Sequence, residues 1–431
     1  MSTQPSNQNS VIWLLLLLFI PAYDGIERAD VIELYIEDIQ TLLADFEGHG
    51  AFDPRVRVPN ENDISDSEND GPVFGDDGSS NVKRENSRVT NDESIVNNAN
   101  DENAAAIANN EFNLARSRCG LNSLVADPEL AAVAIQHANY IKYVFANATP
   151  TVFNPHYQMD ITDIASVTSR NNPYFSGLDV KNRMFNANYP NLNYGITENI
   201  AQTRYYHSAG RLISPTTATI SMAKSLLAAP YHLRSLTAPS SQVVGTAMVG
   251  YKPYDKEPRN NQGYVLVSNA AATQATKNVT VSGVFTYPCQ GVTGTVTGLY
   301  NETPDPVQHT GRNLSTDPIG QPIYINAPQA RRIQITNINF YDIEHNIKLP
   351  TQILNYQNDP YKNTEYELPE NEAFILPITD QLNSCNRLLK KEKNCGLHGN
   401  SEYRVSFDII LDNNRVQRQS FSFMTGEVNE S

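Results

Sequence analysis

Residues 194–202 read YGITENIAQ, and the acid in the middle of that run, Glu198, sets the problem. It is a lone carboxylate between a small turn residue and two alkyl side chains, in a segment otherwise neutral and rich in Tyr and Asn. A solvated loop acid is the default reading. A functional one needs partners elsewhere in the chain.

Candidates flank it on both sides. Upstream, TPTVFNPHYQMD places His156 in a loop after Pro155. Downstream, SPTTATISMAKSLLAAPYHLRSL predicts a helix with Ile220, Ala223, Leu226 and Leu227 on one face, broken at Pro230, with His232 just beyond. Further upstream, AAAIANNEFNLARSRCGLNSL predicts a helix ended by Gly120, which suits a left-handed residue. Asp127 and Pro128 are an N-cap and first-turn pair that start the next helix. His137 lies on the apolar stripe of that helix and reads as a hydrogen-bonded core histidine. QVVGTAMVGYK and NQGYVLVSNAA predict an antiparallel strand pair. The order helix, helix, irregular segment, helix, strands predicts an α+β sandwich.

These pieces together resemble the CAP superfamily of cysteine-rich secretory, antigen 5 and pathogenesis-related proteins. The matching residues are RSRCGLNSL, HANYI, NPHYQ, PYFSGLDVKNRMFNANY, GITENIA and LLAAPYHLRSL, within about 106–272. The likeness is strongest to the bacterial secreted branch, where a loop His, an ENI Glu and an APYHR-like His recur in that order. The resemblance implies an α-β-α sandwich with a cleft holding His156, Glu198 and His232. Two imidazoles and a carboxylate suit zinc or another divalent cation, with a coordination position left open. Many relatives carry a second Glu on the helix before the last His. PTTATISMAKSLLAAP has no carboxylate, so the expected site is a triad. Gln158 is neutral where an acid would have helped, and Arg234 is one residue removed from His232.

Charge and cysteines limit the remaining readings. The chain has 431 residues and a net charge of −15. That excess sits in 23–110, with 21 acids and 6 bases, while the rest is balanced. No basic face for phosphate exists, so nucleic acid is not an expected partner. The apolar run Val11–Ile20 is too short to span about 30 Å of hydrocarbon but suits a secretory signal, with a signal anchor as the alternative. DVIELYIEDIQTLLADFE (30–47) has helical spacing, and the acidic Asn/Ser-rich stretch after it predicts a disordered linker. None of the four cysteines lies in a CxxC. Cys385 and Cys395 bracket a Lys-rich loop and predict one disulfide, leaving Cys119 with Cys289.

From residue 275 the pattern changes. Seven strand-length runs, from KNVTVSGVFTYP to QRQSFSFMTG and including GVTGTVTGLY, alternate with Asn/Asp/Gly/Pro turns. They predict an immunoglobulin-like β-sandwich. His309, His345 and His398 are scattered through it and suggest no site. The expected layout is a signal peptide over 1–22, an acidic segment over 23–105, a CAP-like domain over 106–272 and a β-domain over 275–428.

Three functions follow as expectations. One is a secreted or cell-surface binding protein whose cleft takes a divalent metal or small ligand, with an extracellular or cell-surface component as partner. Another is a metal-assisted hydrolase with Glu198 as general base. The third is an adhesive surface protein with a vestigial cleft. Ser208, Ser214 and Ser221 lack a nucleophile motif, and His207 reads as a surface loop residue.

Overall fold

The computed structural model describes residues 101–206, 213–254, 261–273, 283–385, 394–412 and 415–428. The expected signal peptide, the 30–47 helix, most of the acidic linker, His207 and Ser208 lie outside the described residues. Helix α1 (Glu102–Arg118) starts inside the segment assigned to the acidic stretch: the Asp101 side chain accepts from Ala104 N at 2.9 Å. It ends at Cys119, followed by Gly120 at φ +85°, where a side chain would be strained. Helix α2 (Pro128–Asn147) opens on Asp127, whose carboxylate caps Glu129 N and Leu130 N.

The stretch around Glu198 is not irregular. Ile196–Tyr206 forms strand β2, paired antiparallel with β4 (Asn261–Ala271) along its whole length. β4 also pairs antiparallel with β3 (Val243–Tyr251), and the two-residue β1 (Val125–Ala126) adds parallel to β3. The sheet order is β1-β3-β4-β2, so β2 is an edge.

The period of two in these strands separates two apolar layers. Ile200, Val249 and Val267 pack with Ala138 and Ile141 of α2 on one face. Ala201, Met248 and Leu266 pack on the other with Phe112 of α1 and Met222 of α4 (Pro215–Leu226). Close approach of α2 to the sheet requires Gly245: a Cβ there would lie 2.1 Å from Ala131 N. The result is an α-β-α sandwich.

Pro230 does not simply break a helix. Helix α4 ends at Leu226, and Pro230 is the first residue of a short helix, α5 (Pro230–Leu236), which carries His232. Proline fits there because the first-turn N–H has no intrahelical partner to lose. A further short helix, α3 (Val180–Asn186), is capped by Asp179.

The C-terminal region is a sandwich of two antiparallel sheets. One orders β5 (Phe285–Tyr287), β6 (Ile323–Asn326), β10 (Glu372–Pro377) and β9 (Thr351–Asn355). The other orders β12 (Val416–Met424), β11 (Glu402–Leu411), β7 (Ile333–Asp342) and β8 (Ile347–Leu349). Lettered in chain order with β8 as C′, the sheets read A-B-E-D and G-F-C-C′, the immunoglobulin arrangement. The expected strand in GVTGTVTGLY does not form. That segment makes only isolated bridges at Thr295 and Leu299, and left-handed Gly291 and Gly294 interrupt any extended run. It belongs to a long excursion between β5 and β6.

One continuous apolar core joins the sandwich to the sheet domain. Tyr231 Oη donates to Asp359 at 2.8 Å and Arg234 Nε to Glu372 at 2.7 Å. Disulfides link Cys119 to Cys289 and Cys385 to Cys395; the first ties the end of α1 to the chain just after β5. Among the described residues no helix is long and apolar enough to cross a membrane.

Candidate functional site

His156, Glu198 and His232 line one cleft of about 250 Å³ at the β2 edge, with Arg234, Tyr157 and Tyr366. His156 is presented by a tight turn in which the Asn154 side chain accepts from its backbone N–H at 3.0 Å. Its Nδ1 donates to Glu198 Oε1 at 3.0 Å. The His156 and His232 rings lie 6.1 Å apart, centroid to centroid, at an interplanar angle of 29°.

Glu198 is held from behind. Arg183 Nη2 donates to Glu198 Oε2 at 2.6 Å, while Nη1 donates to the His156 carbonyl at 3.1 Å. One guanidinium therefore fixes both the acid and the loop that carries its histidine. Burial opposes ionisation of Glu198, but Arg183, His137 and His156 outweigh it and hold the carboxyl well below the usual range. With both oxygens engaged, Glu198 orients His156; its geometry differs from the ligand role expected from sequence.

His137 is the core histidine its helical position suggested. It is fully buried, accepts from Gln158 Nε2 at 2.8 Å and donates through Nε2 to Pro155 O at 2.9 Å. Burial and the neighbouring Arg183 lower it to about 3, so it is neutral. Gln158 also accepts from Ser176 N at 2.7 Å. Its amide is the right group there, since it donates to one partner and accepts from another.

A second acid, absent from the expected triad, reaches the buried side of His232 from outside the CAP-like segment. Glu302, in the excursion between β5 and β6, accepts from His232 Nδ1 at 3.1 Å. The same oxygen accepts from Tyr231 N at 2.8 Å and from His232 N at 3.3 Å, serving the uncapped start of α5. Burial raises Glu302 against the opposing pull of His232, and its Oε2 is buried without a partner among the described residues. No local signal in NETPDP marks this acid as functional, because only the fold brings it to His232.

The cleft thus pairs each histidine with a buried carboxylate on Nδ1, leaving Nε2 of each ring for the cleft. That is the arrangement in which metal-ligating histidines are usually oriented. Two imidazoles held in this way present two nitrogen donors along one wall of the cleft. As a general base, Glu198 is poorly placed. Its carboxyl is ionised but weakly basic, and it stands behind His156.

The sequence model of the cysteine-rich secretory protein family (CAP) matches residues 110–270. Residues 110–270 are a CAP domain. A comparison with curated proteins returns no match. Among solved structures, this chain is similar to a cysteine-rich secretory protein from Staphylococcus aureus, at 14% identity and a TM-score of 0.19. That match covers 38% of each chain, too little likeness to carry an argument. The CAP domain therefore rests on the sequence match and the α-β-α geometry.

A second cluster contradicts the expectation that the β-domain histidines are scattered. His345 and His398 stack with ring centroids 3.8 Å apart, both with Nδ1 on the buried carboxylate of Asp342. They are 53 positions apart in sequence, so only the pairing of β7 with β11 brings them together.

Proposed function

We propose that this protein is an exported CAP-domain protein whose cleft binds a divalent cation or a small polar ligand through His156 and His232. The observation that carries the reading is the pair of buried carboxylates, Glu198 and Glu302, each on the Nδ1 of one cleft histidine. Nitrogen donors oriented in this way suit zinc, which would polarise a ligand oxygen when bound. Both disulfides support an oxidising compartment, as expected for a secreted or cell-surface protein. Tyr157 and Glu365 meet across the rim at 3.0 Å, so the β-domain shapes what enters.

Zinc titration of the full chain by calorimetry tests the reading. His232→Ala removes one equivalent of bound zinc, and Glu198→Gln weakens that equivalent roughly 10- to 100-fold. Unchanged stoichiometry in His232→Ala overturns it.

A further inference from the structure

We infer that Asp342, His345 and His398 form a second cation site, in the β-sandwich, for a transition metal such as zinc or copper. It is separate from the cleft and shares no residue with it. Asp342 closes β7, His345 sits in the turn leading to β8, and His398 lies between Cys395 and β11. One ligand atom from each residue falls within a common distance of 4.8 Å.

The three side chains differ in how firmly they are held. The Asp342 carboxylate is fully buried and fixed on both oxygens. Oδ1 accepts from His345 N at 3.0 Å and Oδ2 from Tyr403 Oη at 2.8 Å. His345 Nδ1 stands 3.0 Å from Oδ1 and His398 Nδ1 2.8 Å from Oδ2. The His398 backbone N–H donates in turn to Tyr403 Oη at 2.8 Å, and the Cys385–Cys395 bridge anchors the loop three residues earlier. His345, with its side chain 42% exposed in a turn, is the part that can move.

The chemistry of this set is specific. In the metal-free chain each imidazole places an Nδ1–H on the same carboxylate. On binding a cation each ring shifts to the tautomer that carries its single proton on Nε2, so that two Nδ1 lone pairs and one carboxylate oxygen hold the ion. Ligands at about 2.0–2.1 Å from one zinc lie no more than about 4.2 Å apart. A small rotation of the exposed His345 ring meets that limit. Imidazole with carboxylate favours zinc or copper over calcium or magnesium, whose ligands are all oxygen. The exposed edge of His345 supplies the entry path and an open coordination position. Tyr403 and the His345 N–H already occupy the outer positions that orient a ligating carboxylate.

The test uses the full chain carrying His156→Ala and His232→Ala, which silences the cleft, after stripping with a chelator. Zinc alone is titrated by calorimetry, and the histidine ring resonances are followed by NMR. One equivalent binds, raises the melting temperature and shifts the His345 and His398 rings. His345→Ala, at an exposed turn position, keeps the chain folded but weakens binding at least ten-fold. His398→Gln, as a second variant, weakens binding as strongly, read against its own metal-free melting temperature. Absence of zinc binding in the cleft-silenced chain overturns the site, as does full binding in His345→Ala. Either result leaves the cleft reading intact, since no cleft residue is shared.

Discussion

His232 Nδ1 and Glu302 Oε1 lie 3.1 Å apart although 70 residues separate them, and the contact joins a CAP helix to an excursion of the β-domain. The cleft is therefore a shared construction of two domains. Glu302 caps the start of α5 as well as fixing the His232 ring.

Replacing Glu302 separates those roles. Glu302→Ala strands the N–H of Tyr231 and the His232 ring nitrogen in a buried place, at a cost of about 1–3 kcal/mol. Glu302→Gln keeps an acceptor and costs less. Guanidinium denaturation midpoints check this, and an unchanged midpoint in the alanine variant refutes the capping role.

Arg183→Ala is the harsher change. It leaves the buried Glu198 carboxylate without its guanidinium and frees the loop carrying His156. The expected loss is about 3–5 kcal/mol, the range for breaking a buried pair on one side. Urea denaturation measures it, with Arg183→Gln/Glu198→Gln as the double variant that recovers part of the loss.

Acid should destabilise the fold in two stages. His137 titrates at 6.5 when unfolded and at about 3 when folded, so the unfolded chain takes up the proton first. Its contribution is fully present above pH 6.5 and declines below it, by up to about 1.4 kcal/mol per pH unit. Glu198, depressed in the fold, adds a second loss as pH falls below the usual carboxylate range. Glu302, raised in the fold, acts with the opposite sign and favours the native state as pH falls. Denaturation midpoints between pH 3 and 7 trace the sum. In His137→Gln the slope between pH 4 and 6 should flatten; an unaltered slope there contradicts the assignment.

The two disulfides should differ in weight. Cys119–Cys289 closes 170 residues and Cys385–Cys395 closes 10. Loop-closure entropy gives the longer cross-link about 2.5 kcal/mol more stabilisation. Paired Cys→Ser variants compared under non-reducing conditions check the order, and equal losses contradict it.

The sequence exposed much of this arrangement because local chemistry and fold agree at particular places. Asp127-Pro128 starts a helix wherever it occurs before an apolar stripe, and QVVGTAMVGYK can bury both faces only as a central strand. His156, Glu198 and His232 were recognisable by their order. The strand Ile196–Tyr206 was not, since its Thr, Asn and Gln side chains hide the alternation that its pairing with β4 enforces. Glu302 and the His345–His398 stack were invisible for a different reason. Their partners are set by tertiary packing between distant segments, and nothing in NETPDP or near either histidine reports that packing.

Glu302 also fixes an order of events during synthesis. The CAP domain leaves the ribosome before the acid that orients His232 does. Until residue 302 emerges, the nascent domain carries two histidines with one buried carboxylate between them. A proteolytic fragment ending near residue 270 is in the same state, so its His232 ring lacks the carboxylate that orients it in the whole protein.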